Sequence, residues 1–297
     1  IAKAEANAKL AAIFATCYLG MEVVTKCVST MLFLTVPNNA VTIVFVVYTI
    51  LALISAAALL KCSNLGTKGS YNIFSVGISV MKLKNVSNLL ASDDKRILYL
   101  LPMQVSFGLS TSLLIYYVFG TIVGDSDDLG DTYVGFLAAI IVIVGTVMAI
   151  PSARFSSAYG KAPLMILGGL CFSFIGFTLL ISTDEDLGTW GGILPYLLLQ
   201  GLGRGIWENT NKATVADLFG DDGDKVSAAF AMISFSNGIA TAVGFFTFTS
   251  LPRDTMAIIC GIGGMVGLVS YCYMYFGMRP PKVDYQAVGA ETQESAI

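Results

Sequence analysis

The apolar residues of this chain gather into eight long blocks separated by short polar breaks, at 10–36, 40–60, 97–123, 133–150, 163–181, 192–218, 226–249 and 255–278. A run of about 20 apolar residues is the length a helix needs to cross a ~30 Å hydrocarbon core. A helix of a soluble bundle would repeat polar residues along one face, and most of these blocks have no such face. Backbone polar groups in lipid must be satisfied inside the segment, which a helix does. The pattern predicts an all-α, polytopic membrane protein of about eight transmembrane helices, with the lipid bilayer as its first partner.

The breaks divide the chain. Pro37, Asn38 and Asn39 form the turn between the first two blocks, so 1–62 reads as two transmembrane helices. The longest connection, 63–94, is polar to mildly amphipathic, with Ile73, Phe74, Val76, Ile78, Val80 and Met81 as its apolar positions. It reads as a cytoplasmic linker with a short interfacial helix. Six blocks follow within 95–278. The segment 279–297 opens on Pro280 and Pro281, is otherwise polar, and reads as a disordered cytoplasmic tail.

Charge then orients the chain. Lys61, Lys68, Lys82, Lys84, Lys95 and Arg96 lie between the second and third blocks, Arg154 and Lys161 between the fourth and fifth, Lys225 before the seventh, and Arg279 and Lys282 after the eighth. With eight spans these loops share one side. The other side carries Asp125, Asp127, Asp128, Asp131, Asp184, Glu185 and Asp186, with Arg253 as its cation. Lysine and arginine in short loops mark the cytoplasmic face, so both termini of this chain are expected there.

Composition narrows the function. Charged residues make up 12% and hydrophobic ones 55%, against about 25% charged in soluble domains. The net charge is −3 and no basic patch is present, so no nucleic-acid partner is expected. There is no histidine, and the six cysteines lack metal-ligand spacing. They read as small buried hydrophobes, and neither a metal nor a cofactor is expected. No phosphate loop and no nucleophile with a base occurs, so the chain reads neither as an enzyme nor as an ATP-driven pump.

Ionisable residues inside spans cost about 2.5–3.5 kcal/mol each on insertion scales and therefore need partners or water. The first block holds Glu22 and Lys26, four apart on one helical face. They read either as part of a cation or proton site or as a self-neutralised packing pair. The sixth block holds Arg204, Glu208 and Lys212 at four-residue steps, with Asn211 beside Glu208. This ladder reads as a binding or gating network, and Gly201 and Gly205 form a small-xxx-small pair for close helix contact. Gln104 and Asn237 are further binding candidates. Tyr116, Tyr117, Trp190 and Tyr196 sit near predicted membrane edges and read as interfacial anchors.

The loop Pro151–Pro163 keeps Arg154, Gly160 and Lys161. It resembles the degenerate copy of the basic cytoplasmic loop of major facilitator transporters, without that motif's aspartate. The segment GRGIWENTNKATVADLF from Gly203 to Phe219, with Ser227–Ala231 and Asn237 downstream, is similar to the tenth and eleventh helices of the uncoordinated-93-like branch of that superfamily. The resemblance covers the last two-thirds of the chain. It implies that the eight spans are helices five to twelve of twelve, in keeping with a start at Ile1 rather than methionine. Residues 95–278 would be a complete six-helix half and 1–62 the end of the other half. It implies secondary transport of a small solute or ion by alternating access around a site between halves. The alternative it carries is a non-transporting regulatory or trafficking partner of an ion channel or receptor. An accessory subunit of a membrane complex is a third reading. In both of these, another membrane protein is the partner.

Overall fold

The computed structural model describes residues 2–36, 39–61, 85–91, 94–220 and 223–278. Every regular element among them is helical. We number the helices α1 (Ala2–Thr35), α2 (Ala40–Lys61), α3 (85–91), α4 (Arg96–Val123), α5 (Val134–Tyr159), α6 (Ala162–Ile181), α7 (Asp184–Leu187), α8 (beginning at Trp190 and ending at Phe219), α9 (Gly223–Phe248) and α10 (Arg253–Gly277). Most of the linker read as 63–94, and the tail at 279–297, lie outside the described residues.

Among the described residues six helices are long and apolar enough to cross a membrane: Lys9–Thr35 of α1, α4, Asp131–Tyr159, α6, α9 and α10. The chain is thus an all-α, multi-pass membrane protein. The other two predicted spans depart from that standard. α2 qualifies only as a shorter apolar helix, Ala40–Ser55, and Gln200, Arg204, Glu208 and Lys212 interrupt the apolar run of α8.

The helices pack in the order α1–α5–α8–α6–α10–α4–α9, with α2 resting on α1. Small residues set the crossings. A Cβ on Gly176 of α6 would fall 2.7 Å from the Ala257 carbonyl oxygen of α10 and closer still to the Gly261 nitrogen. A Cβ on Gly205 of α8 would fall 2.9 Å from Gly145 Cα of α5, and one on Gly201 would fall 2.7 Å from the Ile141 carbonyl oxygen. Lipid offers little hydrophobic drive between helices, so close backbone approach and hydrogen bonds carry the association. Ser106 donates to the Gly263 carbonyl at 2.6 Å, Ser112 to Thr241 at 2.8 Å and Ser270 to Tyr99 at 2.9 Å, tying α4 to α10 and α9. Asn209 donates to the Ala149 carbonyl at 2.8 Å, tying α8 to α5.

The perimeter is apolar. Phe45, Val147, Ile181, Phe246 and Val269 are all exposed, as a lipid-facing belt requires. α1 buries Ala12, Ala15 and Leu19 but exposes Leu10, Phe14, Met21 and Met31. For this reason Cys17 and Cys27 are exposed, contrary to the sequence expectation, whereas Cys171 and Cys260 are buried as expected.

The two ends of the bundle differ. At one, Asp125, Asp127, Asp128, Asp184 and Glu185 surround a shared depression. Tyr117 donates to Asp184 at 2.7 Å, Arg253 pairs with Asp184 at 2.9 Å, and Ser126 donates to the Gly188 carbonyl at 2.6 Å. Thr183 and Asp186 cap α7 reciprocally. At the other end Arg96 bonds Asp94, which holds that carboxyl below the usual range, and lies over the Phe219 ring. The anchor reading of Tyr196 is corrected here: α8 turns it into the core at 2% exposure. Trp190 stays half-exposed at its helix start, packed edge-on to Tyr133.

Candidate functional site

The charged residues within the spans meet at one place. α1 and α8 lie side by side across α5, and each repeats polar groups at four-residue steps: Tyr18, Glu22 and Lys26 on one, Gln200, Arg204, Glu208 and Lys212 on the other. A step of four keeps side chains on one helical face. Arg204 grips Glu22 with two parallel bonds, Nη1 to Oε1 at 3.1 Å and Nη2 to Oε2 at 2.6 Å. This fork geometry is the strong form of the arginine–carboxylate pair. Lys26 lies 3.6 Å from the same carboxylate. Lys212 pairs with Glu208 at 2.5 Å and also stands over the rings of Phe14 and Tyr18, 5.0 and 5.7 Å from their centroids.

These groups border a cavity of about 300 Å³. One part of its wall is polar, formed by Tyr18, Glu22, Lys26, Gln200, Arg204 and Glu208. The rest includes Phe107, Thr111, Leu114 and Phe119 of α4, Ile141 of α5, and Asn237 and Thr241 of α9. Both main walls leave the regular α geometry where they meet it. α8 is π-helical over Trp207–Asn211 and α4 over Leu114–Val123. A π-turn widens the helix by one residue and frequently marks a functional site. All five residues of the α8 π-turn, Trp207, Glu208, Asn209, Thr210 and Asn211, are buried. Trp207 stacks at 5.0 Å on Phe107, which lines the cavity.

Polar atoms remain without partners here. Gln200 is 2% exposed, yet its Oε1 takes no hydrogen bond among the described residues, and neither do Arg204 Nε, Asn209 Oδ1 or Thr210 Oγ1. An unmatched buried donor or acceptor costs about 1–3 kcal/mol; of these residues Gln200 and Arg204 line the cavity, and their free atoms are suited to a bound solute or water.

Of the residues singled out from the sequence, Glu22, Lys26, Arg204, Glu208 and Asn237 line this cavity, and Lys212 backs it through Glu208. Gln104 and Asn211 do not. They are both 1% exposed and bond each other at 3.3 Å, joining α4 to α8 behind the cavity. The loop residues stand elsewhere. Gly160 ends α5 at φ 84°, a left-handed conformation that glycine permits, and Lys161 pairs with Asp217 at the end of α8. Arg154 lines a separate groove between α1 and α5 with Lys9, Thr16 and Cys17. The sequence reading passed over Gln200 and Tyr18 as site residues, although each lies one four-residue step before a named charge. Among the described residues no group of three histidine, cysteine, aspartate or glutamate side chains could hold a metal.

Lys161 has 11% of its side chain exposed and Asp217 28%. A Lys161→Ala change is expected to cost no more than about 1 kcal/mol, as partly solvated pairs do. Chemical unfolding in detergent would measure it.

No family model matches this chain, and no curated protein or solved structure matches it significantly.

Proposed function

We propose that this chain belongs to a major-facilitator-type transporter of the uncoordinated-93-like branch and moves a small solute or ion by alternating access. The observation that carries the reading is the cavity flanked by α1 and α8, with two carboxylates and two cations in its wall. Ionisable groups at membrane depth are costly and are kept where they pair or face a solute path. Under the resemblance α1 belongs to one half and α4–α10 to the other, so the Glu22–Arg204 bond crosses between halves. A bond of that kind can close a path in one state and open it in another. The basic loops would face the cytoplasm.

The scaffold alternative calls for a collapsed apolar interior, or a lipid-facing groove against another protein, with the ionic residues purely structural. A cavity of about 300 Å³ bordered by unbonded polar atoms favours transport instead.

The test is uptake by proteoliposomes of the full-length protein under an imposed proton or potassium gradient, paired with Glu208→Gln. Flux should follow the gradient in the parent and fall at least tenfold in the variant, while insertion and monodispersity stay unchanged. Normal flux through well-expressed Glu208→Gln would remove Glu208 from the site. No flux from correctly oriented parent protein would favour the scaffold role.

A further inference from the structure

We infer that the cavity between α1 and α8 takes a small organic anion, a carboxylate carried on an apolar body; this rests on the transport reading and names its substrate class. Three cations, Lys26, Arg204 and Lys212, gather around two carboxylates, Glu22 and Glu208. Each carboxylate has its own close partner: Glu22 is held by both Nη atoms of Arg204, and Glu208 by Lys212. Lys26 is therefore the surplus cation. It approaches Glu22 only to 3.6 Å and has 30% of its side chain exposed. Inside a membrane protein, where the effective dielectric is low, one unmatched cation attracts an anion far more strongly than in water. An anion brings the cluster to neutrality, and a second cation would double its excess.

The donors fit the same conclusion. A guanidinium has five N–H groups, and Glu22 accepts from two of those on Arg204, leaving Nε unbonded. Gln200 supplies a buried amide whose Oε1 lacks a partner, and the amide can turn its NH₂ to an acceptor instead. Phe107, Leu114, Phe119 and Ile141 supply apolar lining to the same cavity, beside Thr111, Asn237 and Thr241. A carboxylate would rest on Lys26 with its apolar body against those side chains. The volume, about 300 Å³, is at the small end of ligand pockets, so the occupant is a small molecule.

A matched series of equal-sized probes tests this: benzoate, neutral benzamide and cationic benzylammonium. Each is added at 10 mM (about that of a weak-ligand screen) to the detergent-purified full chain, and thermal unfolding is followed for the parent and for Lys26→Gln. Benzoate alone should raise the unfolding temperature of the parent. Its apparent affinity should fall roughly tenfold or more in Lys26→Gln, as loss of a charge-assisted contact does. Stabilisation by benzylammonium or benzamide equal to that by benzoate would overturn the inference, as would no response to benzoate. An undiminished benzoate response in Lys26→Gln would overturn the role of Lys26. Benzoate binding without gradient-driven uptake would leave the anion site standing and sink the transport reading. Uptake of cations alone would do the reverse.

Discussion

Replacing Glu22 with glutamine is expected to destabilise the protein and stop uptake together, because it strands Arg204. The guanidinium of Arg204 loses both charged bonds at once, and Lys26 loses its ion pair with Glu22. Removing one partner of a fully buried pair costs about 3–5 kcal/mol, since the remaining charge is uncompensated. Here the side chains are 19% and 21% exposed, so water screens part of that cost and roughly 1–3 kcal/mol is expected. The second variant, Arg204→Gln, and the double variant complete a cycle. If the pair acts as a unit, the double variant is less destabilised than the two single losses summed. Additive losses measured by chemical unfolding in detergent would mean that Glu22 and Arg204 act independently.

Gly176→Leu is expected to have the largest effect on folding. Its Cβ would fall 2.7 Å from the Ala257 carbonyl oxygen and also against the Gly261 backbone nitrogen. Backbone atoms of α10 cannot swing aside as a flexible side chain could. The α6–α10 crossing would have to spread, and with it the α10 contact that supports α4 beneath the cavity. Overpacking of a well-packed site costs about 1–3 kcal/mol, and more where backbone must move. Gly191→Leu makes the control, because nothing beyond its chain neighbours and its own turn of helix lies within 4 Å of an added Cβ. Size-exclusion profiles and thermal unfolding should separate the two. Equal behaviour would show that the crossing has room to adjust.

The membrane-spanning helices were legible because a transmembrane segment is written locally, as length and uniform apolarity. Of the two exceptions, α2 falls short in length, and α8 reads poorly as a span for the reason that it reads well as a site, since Arg204, Glu208 and Lys212 interrupt it. The site was half legible. Charges within apolar blocks are visible without a structure, and so Glu22, Lys26, Arg204 and Glu208 could be named. That Glu22 meets Arg204, 182 residues away, is a consequence of α1 and α8 lying together across α5, and no local pattern encodes it. The same limit explains Gln104 and Asn211, which look like ligands in sequence and satisfy each other in the fold. Tyr196 has the composition of an anchor and the location of a core residue, because the rotation of α8 is set by Gly201 and Gly205 against α5. Gln200 and Tyr18 could have been found by extending each four-residue ladder one step toward the chain start. The π-turns could not, since nothing in WENTN distinguishes it from an α-helical turn.

Two-sided access to the cavity is the claim on which the account stands. It is tested by Thr241→Cys, on the α9 wall, in a background whose native cysteines are replaced by serine. A membrane-impermeant thiol reagent is applied separately to the outside of right-side-out and inside-out vesicles. Alternating access predicts labelling from both sides, with an imposed solute gradient shifting the ratio. Labelling from one side only, or from neither, would contradict it.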